Sequence, residues 1–269
     1  MAPGLVKAMT LASAVSVPQT FGHQLVRGRR SLAAVTLLVV QPDELCPPGH
    51  LTDWLSPFWI CRASAGDPVP KNADGISGLI VLGGLPGVHD ADRFAWLTPI
   101  KTLLADAVRQ EVPTLGICLG HQLLAVALGG TVISRPRGQN SRVLRPVWTA
   151  EAAADPVLGA VSARPPAVAW NADTVAVPPP GAVELAGSDD GDLLSFRIGR
   201  SAWGVQWHPE ASYEIVKGWH EAQCRAGTAR PEMERGLAEI RAAETDMYAA
   251  WRPLALAFAT LVAGSREPA

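Results

Sequence analysis

Apolar residues fall along this chain in two patterns: short, nearly continuous runs, and stretches where they recur every third or fourth position. Ala33 to Val40 is the first run. Its β-branched residues and lack of alternation predict a strand buried on both faces of a parallel sheet. Gln41-Pro42-Asp43 ends it, and Gly49 to Leu55 reads as a first helix. Phe58 to Arg62 and Gly78 to Leu82 predict two further strands, the second running into Gly83-Gly84-Leu85-Pro86-Gly87. From Phe94 to Gln110 the period changes. Leu97, Ile100, Leu103, Leu104 and Ala107 share one helical face, which predicts a helix laid over the sheet. Pro113 to Gln122 is a short apolar strand that breaks at a glycine-flanked turn and continues as a helix towards Gly130.

Thr131 to Ser134 and Val143 to Trp148 read as strands around the turn Arg135 to Ser141. The turn Pro178-Pro179-Pro180-Gly181 leads to strands at Val183 to Ala186 and Leu193 to Ile198, then to one ending at Trp207. Glu234 to Val262 returns to helical spacing (Leu237, Ile240, Tyr248, Trp251, Leu254, Phe258, Leu261), with a kink expected at Pro253. Strands alternating with helices predict an α/β fold of three layers, a mostly parallel central sheet with helices on both faces. Ligands in such folds bind at the C-terminal ends of the strands.

Chemistry enters at Gly116-Ile117-Cys118-Leu119-Gly120, the thiol counterpart of the G-x-S-x-G nucleophile elbow. Glycines suit both flanks because a strained turn needs unusual backbone angles and close helix–strand approach. The sulfur falls at a helix N-terminus, where free N–H groups and the dipole favour a thiolate. A buried cysteine is most often structural. What sets this one apart is Gly204-Val205-Gln206-Trp207-His208-Pro209-Glu210 further on. A thiol nucleophile needs a base, and the base needs a third group to fix its tautomer. His208 offers the imidazole. Glu210 projects to the same side of an extended segment, and Pro209 keeps His208 out of the helical region. His121 lies too close to the elbow to reach back over the sulfur and reads as structural.

These segments, with the Gly83-Gly84-Leu85-Pro86 turn, resemble a class I glutamine amidotransferase domain of the stand-alone, GMP-synthase-like type, over approximately Leu37 to Trp219. The resemblance implies a flavodoxin-like amidotransferase fold. It also implies a cysteine that attacks the glutamine side-chain amide, forms a γ-glutamyl thioester and releases ammonia. It assigns Cys118, His208 and Glu210 to the catalytic triad and the N–H groups of Gly84 and Leu119 to an oxyanion hole, a sensible use of such donors. Gln122 would contact substrate, and a Gly-x-x-Ser-like turn points to Asn140 and Ser141, residues that equally fit a solvated loop. Relatives often carry a histidine where this chain has Asn171, two residues before Asp173. No cofactor and no metal are implied.

Composition narrows the rest. At 269 residues and 48% hydrophobic content, one large domain with extensions is expected. A net charge of -2 without a basic cluster argues against nucleic acid as partner. No run reads as long and apolar enough to cross a membrane. Cys46, Cys61, Cys118 and Cys224 lack metal-ligand spacing and suit a reducing cytoplasm. The expected organisation is a flexible or loosely docked extension over 1–31, or an over-long start; an amidotransferase domain over 32–223; and a helical extension over 224–269. The apolar run Met9 to Val17 imitates a signal peptide but is interrupted by Thr10, Ser13 and Ser16. Three functions remain open. One is a glutamine amidotransferase or amidase, with or without a synthetase or acceptor subunit as partner. Another is a γ-glutamyl hydrolase or peptidase, and the third is a silent regulatory subunit. The absence of G-x-x-x-x-G-K-[ST] from the chain gives the hydrolase its weight.

Overall fold

The computed structural model of the chain describes residues 36–55, 57–161 and 164–265. The expected extension over 1–31 and the start of the first predicted strand lie outside them. The run after Val35 forms β1 (Leu37–Gln41), followed by α1 (Leu51–Trp54), β2 (Trp59–Arg62) and β3 (Gly78–Val81). Next come α2 (Leu97–Arg109), β4 (Thr114–Ile117), α3 (Leu119–Ala127) and β5 (Thr131–Ser134). β6 (Asn140–Leu144), β7 (Val147–Trp148), the single turn α4 (Ala150–Ala153), β8 (Ala167–Asn171) and β9 (Asp173–Val177) fill the middle. β10 (Ala182–Gly187), β11 (Leu193–Ile198), β12 (Ala202–Val205), α5 (Tyr213–Arg225) and α6 (Pro231–Gly264) complete the described chain.

The main sheet runs β2-β1-β3-β4-β12-β11-β10-β7. From β2 to β12 every pairing is parallel, and from β12 onwards it turns antiparallel. The parallel half explains why its strands read as continuous apolar runs. In β1, Leu37 and Val39 enter one core while Leu38 and Val40 enter the other, and in β3 Ile80 and Leu79 divide the same way. One core takes the apolar stripe of α2 and the inner face of α3. The opposite core takes α1, α5 and α6. The expected three layers are present.

Several boundaries move. The strand predicted over Val143–Trp148 is two strands, and Asn140 and Ser141 lie inside β6 instead of in a turn. β6 pairs with β8 in a separate two-stranded sheet, Asn140 opposite Asn171 and Ser141 opposite Trp170. β8, β9 and α5 have no counterpart in the expected element order. α5 buries only Val216 and Trp219, too thin a stripe to register as periodic. The strand expected to end at Trp207 ends at Val205, so Gln206 to Glu210 form the loop beyond it.

α6 also departs from expectation. It starts at Pro231, whose missing N–H costs nothing at a first helical position, and runs unbroken through Pro253. Trp251, Leu254, Ala255, Phe258 and Val262 anchor it on both sides of that proline, so burial holds what local preference would bend. At 34 residues, with an 18-residue window of mean hydropathy 1.2, it has the length and apolarity of a membrane span, contrary to the sequence reading. Its buried face instead packs on the sheet, with Trp251 Nε1–H donating to the Pro166 carbonyl at 2.8 Å. The domain boundary expected after residue 223 falls inside α5.

Candidate active site

The link between β4 and α3 is where the backbone is most constrained. Cys118 sits at the N-cap of α3 with φ 51° and ψ −104°, a conformation that an L-residue adopts only under constraint. Its N–H donates to Val205 O at 2.9 Å, which ties the turn to the end of β12. The flanking glycines keep ordinary φ. Their role is close approach: a Cβ on Gly116 would meet the Gly120 carbonyl oxygen at 2.5 Å, and one on Gly120 would overlap the Val81 carbonyl oxygen of β3. The unusual backbone angles expected of the glycines are therefore carried by the cysteine itself.

Because β12 lies beside β4 in parallel register, Ile117 opposite Val205, the loop after β12 arrives next to the turn. His208 N–H bonds to Val168 O at 2.9 Å, fixing its backbone against β8. Its Nδ1 lies 2.8 Å from Glu210 Oε1, and both side chains are buried. Glu210 is held in turn through its backbone: its carbonyl accepts the His50 N–H at 2.9 Å, and Gly49, at φ 52°, packs so closely there that a Cβ would overlap that oxygen. Burial by itself would lower the His208 pKa. Cys118 and Glu210, each acting as charge and as hydrogen-bond partner, outweigh it and raise the pKa to about 10, so the imidazolium is favoured beside the sulfur. Cys46 lies nearby, and its thiol is pushed well up, first by burial and then by Asp43, Cys118 and Glu210.

The glycine turn after β3 closes the other side. A Cβ on Gly84 would lie 2.9 Å from Leu119 Cδ2, and neither the Gly84 nor the Leu119 N–H has a hydrogen-bond partner among the described residues. Asp43 braces this turn: its Oδ2 accepts Leu85 N–H at 3.0 Å and its Oδ1 accepts Leu45 N–H at 2.9 Å. Gly83, to which the sequence reading gives no role, covers the pair directly. A Cβ there would lie 2.8 Å from His208 Cε1 and 3.6 Å from both Cys118 Cβ and Cys46 Sγ. The glycine doublet is the signal for it.

Three expected residues stand apart. Gln122 Nε2 is committed internally, to Gln206 Oε1 at 3.0 Å and Asp173 O at 3.1 Å. Asn171 Nδ2 donates to the same Asp173 carbonyl at 2.9 Å. Asn140 and Ser141 line a depression with Arg135, Arg142 and Glu239 and make no hydrogen bond to Cys118 or His208. The structure thus gathers Cys118, His208, Glu210, Gly84 and Leu119, while Gln122 bonds to Gln206 and Asp173 and Asn140 and Ser141 line a separate depression.

His121 is fully buried against Phe196, ring centroids 4.9 Å apart, and burial pushes its pKa down to about 3. It stays neutral as the pH falls, whereas the unfolded chain takes up a proton near pH 6.5. A depressed folded pKa means that stability is present above the unfolded value and lost as the pH falls towards 3. Between pH 7 and 5 this one group is expected to remove about 2 kcal/mol. Urea unfolding at the two pH values, with His121→Leu for comparison, checks this: the variant should lose less by about that amount. An equal loss in both proteins would assign the acid sensitivity elsewhere. His208 works in the opposite sense, stabilising below pH 6.5 and losing that contribution as the pH rises through about 10.

Comparison with known proteins identifies the family. The model of the family glutamine amidotransferase class-I matches residues 61–216, more than half of the chain. The chain is 39% identical over 113 residues to a subunit of the glutamine-hydrolysing GMP synthase of Methanosarcina barkeri, an alignment covering 41% of this chain and 58% of that protein. The corresponding subunit from Halobacterium salinarum is 36% identical over 147 residues, 54% of this chain and 71% of that one. The chain therefore spans little more than half the length of the first of these relatives. A glutamine amidotransferase from Methylobacillus flagellatus, solved by crystallography, superposes with a TM-score of 0.74 at 25% identity, covering 86% of this chain and 96% of that one. With the match running from β2 through the elbow and the His-Pro-Glu loop into α5, the chain belongs to the class-I glutamine amidotransferase family.

Proposed function

We propose that the protein hydrolyses the side-chain amide of glutamine through a γ-glutamyl thioester on Cys118. The observation that carries this reading is the 2.8 Å contact between His208 Nδ1 and Glu210 Oε1, buried beside the strained cysteine turn. The Cys118 thiolate attacks the amide carbon, and the carbonyl electrons move onto oxygen, where the Gly84 and Leu119 N–H groups receive the charge. As the intermediate collapses, the C–N bond breaks and His208 Nε2 gives its proton to the departing ammonia. Water then adds to the thioester and His208 takes the proton back. The C–S bond breaks, releasing glutamate and the thiolate. Glu210 keeps the Nδ1 proton in place and so leaves Nε2 facing the sulfur.

The two GMP synthase relatives named above are subunits, and ammonia handed to a separate synthetase or acceptor subunit fits that organisation. Four free cysteines, one of them the nucleophile, fit a reducing cytoplasmic setting. The test is ammonia release from glutamine measured beside glutamate release from γ-glutamyl amides. Ammonia release should dominate. The reverse preference would make the protein a γ-glutamyl hydrolase, and inactivity towards both, alone and with a copurified partner, would leave a regulatory subunit. Within the active protein, His208→Asn is expected to lower kcat by about four orders of magnitude or more, and Glu210→Gln by one to two orders fewer. Turnover near the wild-type rate in His208→Asn would require another base.

A further inference from the structure

Beneath His208 lies an aromatic platform that the proposed chemistry does not use. Trp219, on the inner face of α5 and only 2% exposed, places its ring 4.5 Å from the His208 ring, centroid to centroid, at 50°. Its Nε1–H donates to the Leu45 carbonyl at 2.6 Å, on the loop that also carries Asp43 and Cys46. Trp170 of β8 flanks it at 6.4 Å and is itself held by Gln223 Oε1 at 3.1 Å, one turn further along α5. The indole is fixed by a hydrogen bond at one edge and by packing around it.

We propose that Trp219 is a positioning residue for His208: its face seats the imidazolium, and its bond to Leu45 sets where that seat lies. The inference rests on the reading of His208 as the proton-transfer group. The Glu210 bond to Nδ1 leaves the imidazole a tilt about the Nδ1···Oε1 line that strains its contact with Cys118, since each tilt swings Nε2 away from the sulfur. A fixed ring packed 4.5 Å away, even at 50°, blocks that tilt on its side. Tryptophan is also the aromatic that attracts a cation most strongly, so the seat favours the protonated form from which ammonia receives its proton. The titratable groups facing this assembly are Cys118 and Glu210 on His208 itself, Cys46 against Trp219, and His50 at the Glu210 backbone. None of them supplies a second contact to the imidazole face.

The experiment combines a nuclear magnetic resonance pH titration of His208, in histidine-labelled protein, with the pH profile of ammonia release. Trp219→Phe keeps a ring face, and Trp219→Met keeps much of the volume without one. In Trp219→Met the His208 midpoint should fall by about half to one pH unit, and kcat should drop on the order of tenfold with KM little changed. Trp219→Phe should hold the midpoint close to wild type and lose only a few-fold in kcat. In the unmodified protein, at a pH acid enough to protonate both rings, the His208 Cε1–H resonance should be displaced upfield of that of the exposed His89 by the indole ring current, a readout that requires no variant. An undisplaced resonance, an unmoved midpoint in Trp219→Met with only a lower melting temperature, or a Phe variant as impaired as Met would each overturn the proposal. Should His208→Asn retain turnover, the functional reading fails while the titration result stands. An unmoved midpoint in an enzyme that still requires His208 fails Trp219 alone.

Discussion

Cys118→Ala is expected to abolish ammonia release while leaving the fold intact, and Cys118→Gly to be the more stable of the two inactive proteins. Alanine removes the nucleophile and little else, because the thiol contributes little packing volume. It does not remove the backbone constraint, since alanine at φ 51° has the same difficulty as cysteine. Glycine relieves that constraint, and the expected gain over alanine is about 1 kcal/mol after its own entropic cost. Turnover assays and urea unfolding on both variants measure the two effects. An electrophilic glutamine analogue, such as a diazo ketone, should label wild-type protein at Cys118. Labelling mainly at Cys46, whose thiol burial pushes well up, would sink the assignment. Equal stability of the alanine and glycine variants would mean that the turn is not held by force.

Gly120→Ala is expected to do more structural damage than any change to the reacting groups. The added methyl would fall on the Val81 carbonyl oxygen, a backbone atom inside a parallel strand that has no rotamer to retreat into. α3 would have to lift from β3, carrying Cys118 and the Leu119 N–H with it. Overpacking of this kind costs about 1–3 kcal/mol, and here the rigid backbone neighbour places it at the upper end or beyond. Loss of folded protein, or a fall of about 3 kcal/mol together with lost turnover, is the expected outcome. An unchanged unfolding midpoint would show that the helix–strand contact yields easily. Gly84 offers the contrast: its nearest neighbour is the flexible Leu119 Cδ2, so substitution there should trouble the fold far less.

What can be read from residue order follows from these contacts. The central strands are visible because both faces are buried, so their pattern is a run that no surface helix imitates. α2 is visible through its five buried positions. β8 is not: Ala167 to Asn171 is short, follows a proline pair and gains its identity only by pairing with β6 and receiving His208 from another loop. α5 hides because two buried residues make no periodicity. In the site, Cys118 is legible from its flanking glycines and His208 with Glu210 from their two-residue spacing, two short motifs 90 residues apart whose chemistry calls for one another. Gly83 and Trp219 act through tertiary approach, which spacing does not encode. Gln122 shows the opposite limit: its type suggests a contact to substrate, and only the fold shows that its Nε2 bonds to Gln206 and Asp173.

The neighbour of β4 in the sheet, β12, is the last strand in sequence, and it slots between β4 and β11. As the chain leaves the ribosome, the cysteine turn is therefore made early, while one edge of its strand waits open until the 84 residues between β4 and β12, and β12 itself, have been synthesised. That long-range closure is intrinsically slow, and until it happens Val205 cannot hold the Cys118 N–H and the His-Pro-Glu loop has no place to land. A prematurely terminated product would carry the thiol without its base and expose an unpaired edge strand, the kind of surface that cellular quality control and aggregation both act upon. The order of strands thus delays reactivity until β12 has closed the middle of the sheet.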